Sequence, residues 1–476
     1  MSRKFIECNR DQMYLMPPSL RDWLPEGDLA WFLLDAVSEM DLGAFHVGER
    51  EDGAGRPSYD PDMMVSLLLY AYCLGERSSR KIERQCLVNV GFRVIAANQI
   101  PDYSTICRFR HWHAEALEGL FVEVLRLCAE FGLVRVGRVA LDGTKIKANA
   151  ALSANRTEES IREEVRRMLA EADAVDAEED AKYGKDRRGD ELPEELQTRE
   201  GRLKRLHECK ERLERKAEEK KAARGKKIED RKAEEAATGK RKRGRKPKNP
   251  DEIERKQAKA NVTDPESRIM KTRNGYVQGY NAQAAVTEDQ VIVAAEVTQE
   301  ENDVRQLHPM IEKAVETLES AGVKEKMGAV LADAGYFSEK NLADASPDGP
   351  ELFVATTKDW KQRKALADAP PPRGRIPKNL SLKDRMERKL LTVRGRALYK
   401  KRGQTVEPVF GQIKNVRGCD RFLQRGRVAV SAEWKLICTA HNLLKLFGSG
   451  NAPCPSTNSG HLEHVEPWRA PATQAA

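Results

Sequence analysis

Two apolar runs in this chain stop at an acidic residue: VALDGT delivers Asp142 and AVLADAGY delivers Asp333. A carboxylate there is either turn chemistry, accepting nearby backbone N–H groups, or a reactive group presented where a strand ends. Reactive carboxylates pair as acid and base, or hold a hard cation through oxygen. A third acid is set differently. In YKKRGQTVEPVFGQIKNVRG, Tyr399, Arg402, Glu407 and Lys414 fall in one predominantly helical stretch. Glu407 and Lys414 are seven apart and share a helix face. This carboxylate is flanked by cations, for which ordinary helix salt bridging is the structural alternative.

The elements that must position these residues follow from periodicity. Residues 1–130 read as an all-helical domain, with Leu29, Phe32, Leu33, Val37 and Met40 at helical spacing, and Met64, Leu67, Leu68, Ala71 and Leu74 likewise. Ser78 and Ser79 cap one helix, and Pro101-Asp102-Tyr103-Ser104 opens another. The pair looks like a helix-turn-helix with Arg80, Lys81, Thr105, Arg108 and Arg110 as DNA readers; a small bundle with solvated arginines is the bland reading. Residues 131–155 open a second domain and contain a strand ending at Asp142-Gly143, with Lys145 and Lys147 just beyond as further DNA contacts. From Arg156 to Lys256 about six residues in ten are charged, so 156–260 is a charged insertion of helical hairpins or partial disorder. GYVQGYNAQAAVT and QVIVAAEVT are two strands joined at Glu288-Asp289-Gln290, followed by a helix over 303–318 and strands at 327–332 and 352–355. The order β, insertion, ββ, α, β, α, β predicts an α+β architecture, a mixed sheet covered by helices, over 261–447. Residues 448–476 are a Pro/Ser/Gly-rich tail expected to be disordered.

The formal charge is only +8 over 476 residues, but Lys361 to Arg427 holds twenty Lys/Arg against five Asp/Glu, a net of +15. That segment wants a polyanion. A second basic run, KRKRGRKPK at Lys240–Lys248, resembles half an AT-hook, with Arg243, Arg245 and Lys246 as minor-groove candidates and a solvated linker as the alternative. Trp360, among Lys358, Lys361 and Arg363, is either a stacking platform for an extruded base or a core residue. No apolar run approaches the ~20 residues of a membrane span and no signal peptide is visible, so a soluble cytoplasmic protein is expected. Nine cysteines without a C-x-x-C pair argue against a disulfide framework. Zinc is a poor candidate, since His111 and His113 at i, i+2 point to different helix faces.

Taken together, GRPSYDP, PDYSTICRFR, ALDGTKI, DPESR, GYNAQAAV, ADAGYFS and VEPVFGQIK make the chain resemble the bacterial insertion-sequence transposases of the DDE type, in the group with a Tyr-Arg-Glu-Lys signature. The signature usually has three residues between Arg and Glu, whereas Arg402 and Glu407 have four between them. The resemblance implies a ribonuclease H-like core with two Asp on adjacent strands and a Glu from a later helix. It assigns catalysis and metal binding to Asp142, Asp333 and Glu407, and phosphate contacts to Tyr399, Arg402 and Lys414. It also implies two Mg²⁺ ions, with Mn²⁺ able to substitute. The partners would be double-stranded DNA, as terminal inverted repeats and as target, and a second copy of the chain. Phosphodiester cleavage and strand transfer demand such a set, because in-line displacement is served by two cations about 4 Å apart. The competing readings are a structure-specific metal nuclease and a non-catalytic DNA-binding descendant. Paired-carboxylate glycoside hydrolysis leaves the basic density unexplained.

Overall fold

The fold is organised around β1 (Arg138–Lys147), which runs five residues beyond Asp142 rather than ending there. Val139, Ala140, Leu141 and Ile146 bury it. The strand continues because its two edges find different partners. On one side β5 (Gly275–Thr287) pairs antiparallel with it from Val139↔Thr287 to Lys147↔Gly279. On the other, β7 (Ala329–Ala332) runs parallel, and the last pair is Leu141↔Ala332. β8 (Glu351–Val354) extends the parallel side. β4 (Arg268–Thr272) and β6 (Ile292–Thr298) share the far edge of β5, giving a six-stranded mixed sheet. The turn Glu288-Asp289-Gln290 joins β5 to β6 as expected.

The computed structural model describes residues 19–47, 58–157, 199–238, 259–272, 275–357, 359, 361–362, 368–377 and 379–450. Six helices precede the sheet: α1 (Leu29–Ser38), α2 (Pro61–Cys73), α3 (Ser79–Val88), α4 (Val90–Ile95), α5 (Tyr103–Trp112) and α6 (Ala114–Glu130). In the charged insertion the described part is α7 (Arg199–Thr238), one helix of 40 residues, about 60 Å long at 1.5 Å per residue, where the sequence suggests hairpins. Its base is closed by β2 (Asn155–Thr157) pairing antiparallel with β3 (Lys259–Asn261). Cys209 and Leu213 are the α7 side chains buried there. Then follow α8 (Leu307–Ser320), α9 (Glu339–Ala343), α10 (Leu382–Leu391), α11 (Val393–Gly411) and α12 (Arg427–Gly448). No described helix is long and apolar enough to cross a membrane.

α12 joins the helical region to the sheet, packing on α2 and α6 on one side and β6 on the other. Trp434, Leu436, Ile437, Ala440 and Leu443 are buried in that double contact, so the N-terminal helices and the sheet share one hydrophobic core. Asn442 finishes the edge of β6: its Oδ1 accepts from Ile292 N at 2.8 Å and its Nδ2 donates to Ile292 O at 2.8 Å. Asn442 and Ile292 are both fully buried. Asn442→Ala orphans two buried backbone groups, so we expect it to cost roughly 1–3 kcal/mol for each group left without a partner. A urea titration with a midpoint matching wild type would contradict this.

A buried arginine ties the helical region to the segment between α11 and α12. Arg77, in the loop after α2, donates through Nη1 to Glu433 Oε1 at 2.8 Å and Arg421 O at 2.7 Å, and through Nη2 to Gly418 O at 3.2 Å. Glu433 in turn accepts from the backbone N–H groups of Leu423 and Gln424 at 2.9 Å each. That segment also extends β1, with Lys147 N donating to Asp420 O at 3.1 Å and Phe422 N to Lys147 O at 2.8 Å.

Candidate active site

The parallel pairing of β1 with β7 stops at Leu141↔Ala332, so Asp142 and Asp333 are the next residues on adjacent strands and lie at the same level of the sheet. Each also caps its own chain. Asp142 Oδ1 accepts from Gly143 N at 2.9 Å, and Asp333 Oδ1 from Gly335 N at 2.6 Å. Asp333 thus takes up the turn role expected of an acid after an apolar run, whereas Asp142 accepts from its neighbour inside a strand that continues to Lys147.

α11 crosses this end of the sheet, touching β1 and β7. Pro408 lies inside the helix and supplies no N–H to Gln404 O; Gln290 Nε2 donates to that carbonyl instead, at 3.1 Å. The helix thus continues to Gly411 and passes into a π-turn over Gln412–Val416. It brings Arg402 onto Asp142, with Nη2 at 2.8 Å from Oδ2 and both side chains largely buried (14% and 19% exposed). Arg402 Nε is buried without a hydrogen-bond partner. Burial pushes the Asp142 carboxyl up to about 6; Arg402 opposes the rise, while Asp333 and Asp303 add to it. Burial opposes charge on Arg402, yet Asp142, then Tyr399, Asp333 and Glu407, hold its pKa above the ordinary value.

Glu407 is exposed on α11, its carboxylate turned along the helix so that Oε1 lies 3.2 Å from where a Cβ on Gly403 would stand. Tyr399 is half-buried against the core. Lys414, in the π-turn, donates to Thr144 Oγ1 at 2.9 Å and Lys145 O at 3.1 Å, and burial lowers its pKa. It staples the end of α11 to β1, a tertiary use that the helix-face argument does not reveal. Among the described residues, no three His, Cys, Asp or Glu side chains stand close enough to grip one ion.

One acid escaped the sequence reading. Asp303, in a 3₁₀ turn before α8, places Oδ1 2.7 Å from both Asn281 Nδ2 and Gln283 Nε2 on β5. Its neighbours are close because Gly143 and Gly335 have no side chains. A Cβ on Gly143 would lie 2.6 Å from Asp303 Oδ1, and one on Gly335 3.0 Å from Asp303 Oδ2 and 2.7 Å from Asp333 Oδ1. The glycines after the two strand acids were the available signal. By contrast, Asp264 of DPESR is buried and accepts from Tyr280 Oη at 2.9 Å through both oxygens, a structural use.

The predicted DNA readers divide. Arg80, Lys81 and Arg108 are exposed, and the Arg80 guanidinium lies 5.2 Å from the ring centre of Tyr103. α3 and α5 pack together with α4 between them in sequence. Thr105 spends its hydroxyl on Asp102 Oδ2 at 2.7 Å, within the cap of α5. Arg110 is a correction. Its Nη1 donates to Arg77 O at 2.8 Å and its Nη2 bonds Ser79 Oγ, so as the side chains stand the guanidinium holds the α2–α3 connection from inside. Lys145 Nζ donates to Lys271 O at 2.7 Å, and Lys147 Nζ pairs with Asp420 at 2.9 Å. Arg243, Arg245, Lys246 and Trp360 lie outside the described residues.

Two family models match the chain: one described as a transposase domain (DUF772) over residues 18–112, and one described as a transposase DDE domain over residues 245–443. The second contains Asp333, Arg402 and Glu407, while Asp142 falls between the two matches. No curated protein and no solved structure matches.

Proposed function

Since the chain belongs to the DDE transposases of insertion sequences, a family of enzymes that cleave and transfer DNA, we propose that Asp142 and Asp333 form its reaction centre, with Glu407 as the third acid. The observation that carries this reading is the position of Asp142 and Asp333 at one level on adjacent strands, beneath the helix that carries Arg402 and Glu407. The mixed sheet covered by helices is consistent with a ribonuclease H-like core.

The donor set suits a hard divalent cation. All the candidate ligands are carboxylates, and burial raises the Asp142 carboxyl to about 6 even with the Arg402 guanidinium beside it. Asp142, Asp333 and Glu407 would hold Mg²⁺, or Mn²⁺ in its place. Such ions supply Lewis-acid polarisation of a phosphate oxygen and favour the attacking oxygen in its ionised form. The chain's own residues do the positioning. Arg402 neutralises Asp142 as the side chains stand, and its planar fork also fits a phosphate oxygen pair. The Lys414 staple holds the end of α11, the helix of Glu407, against β1, the strand of Asp142. The exposed Arg80, Lys81 and Arg108 with Tyr103 would bind the element's end, giving affinity that falls steeply with salt. Bringing two ends together calls for a dimer.

The test uses pre-cut ends of the element flanking this gene, supercoiled plasmid, and Mg²⁺ or chelator. Joined product that depends on the metal is the expected result. Metal-dependent nicking without joining would replace this reading with the nuclease, and DNA binding with neither reaction would replace it with the non-catalytic descendant.

A further inference from the structure

Asp303 belongs to none of the motifs that single out the other acids, yet the centre is built around it. Its Oδ1 accepts from Asn281 Nδ2 and Gln283 Nε2 at 2.7 Å each, from side chains that are 1% and 0% exposed. Gln283 then accepts from the hydroxyl of Tyr336, which is fully buried and follows Asp333 in the ADAGY turn. One hydrogen-bonded chain therefore runs from Asp303 through β5 to the turn that carries Asp333. Gly143 and Gly335, beside the two strand acids, leave the space that the Asp303 carboxylate fills.

Both donors to Asp303 are neutral amides, which aim the carboxylate without cancelling its charge. Were its role only to accept these bonds, asparagine would do better. Its Oδ1 would accept the same two bonds, and its amide would face Asp333 without repulsion. A third acid next to two others is costly unless a cation is to be held there. We infer that Asp303 is a positioning residue of the centre: it seats the turn of Asp333 through Gln283 and Tyr336 and supplies a fixed negative charge that draws a divalent cation to Asp142 and Asp333. This rests on the reading of those two aspartates as the cation-holding pair.

The test is direct Mn²⁺ binding to the full chain without DNA, followed by electron paramagnetic resonance, alongside thermal melting. Asp303→Asn keeps the acceptor and removes the charge. It is expected to weaken Mn²⁺ binding roughly 10- to 100-fold, the range for groups that support metal ligands from behind, with a melting temperature no lower than wild type. Unchanged Mn²⁺ binding overturns the inference, and so does weaker binding accompanied by a lower melting temperature, which marks a merely structural role. Should Asp303→Asn fail to fold, Asn281→Ala removes one amide and leaves the charge. A roughly threefold loss of affinity is then expected, below the range for losing the support outright, and no loss overturns the inference. Asp142→Ala separates the two levels. If it binds Mn²⁺ normally, the underlying reading fails and this inference with it; if it loses Mn²⁺ while Asp303→Asn does not, this inference alone fails.

Discussion

Asp142→Asn is expected to abolish both end cleavage and joining while leaving binding to the element's ends close to wild type. The substitution conserves shape but removes the charge that stands at one level with Asp333 and faces Arg402 Nη2 at 2.8 Å. A carboxylate that would hold a divalent cation at the reacting phosphate would act on the transition state and little on ground-state DNA affinity, so rate falls and affinity does not. We expect a loss of at least ~10³-fold in each step, about 4 kcal/mol of barrier at 1.36 kcal/mol per decade. The same outcome is expected for Asp333→Asn and Glu407→Gln. Gel-shift affinity and single-turnover cleavage on one substrate measure the two quantities separately. Cleavage within tenfold of wild type in any of the three variants would remove that residue from the centre, and a parallel loss of DNA binding would mean that the variant had disturbed the fold.

The largest stability effect is expected from Arg77→Ala. The Arg77 and Glu433 side chains are 7% and 1% exposed, and their ion pair sits between the helical region and the segment that leads from α11 to α12. Removing the arginine leaves a carboxylate buried without its cation, a change that costs about 3–5 kcal/mol. It also frees the carbonyls of Gly418 and Arg421. Replacing both partners with apolar residues is not expected to restore stability, because Glu433 also satisfies the N–H groups of Leu423 and Gln424. Chemical denaturation of the single and double variants measures this directly. A loss below ~1 kcal/mol for Arg77→Ala would put the pair in the class of weak surface bridges.

The reading of the sequence reached furthest where chemistry is local. Asp142 and Asp333 are legible because an apolar run that stops at an acid is a one-dimensional pattern, and the helix expected over 303–318 is legible because its apolar residues, Leu307, Met310, Ile311 and Leu318, repeat at helical spacing and are buried in α8. The strand pair around Gln290 is legible because two strand-like runs flank a short polar turn. β1 runs past its acid, because pairing with β5 continues to Lys147 after β7 has ended, and edge partners are not written in a strand's own residues. Among the described residues of the charged insertion, Arg199–Thr238 form one long helix, a length not legible in the sequence because charge density reports solvation and not the number of turns.

Residue types are thus written in the chain: acids at the ends of apolar runs, a helical stretch rich in cations around Glu407, and a net of +15 over Lys361 to Arg427 suited to a polyanion. Their partners are set by the folded arrangement. Arg402 lies on Asp142, Lys414 is bonded to β1, Arg110 is turned into the helical region, and Asp303 is bonded to β5 from a turn whose own sequence carries no signal. The physical reason is that hydrogen bonds and ion pairs depend on separations of about 3 Å in space, which residues far apart in the chain reach only when the sheet and its covering helices have closed on one another.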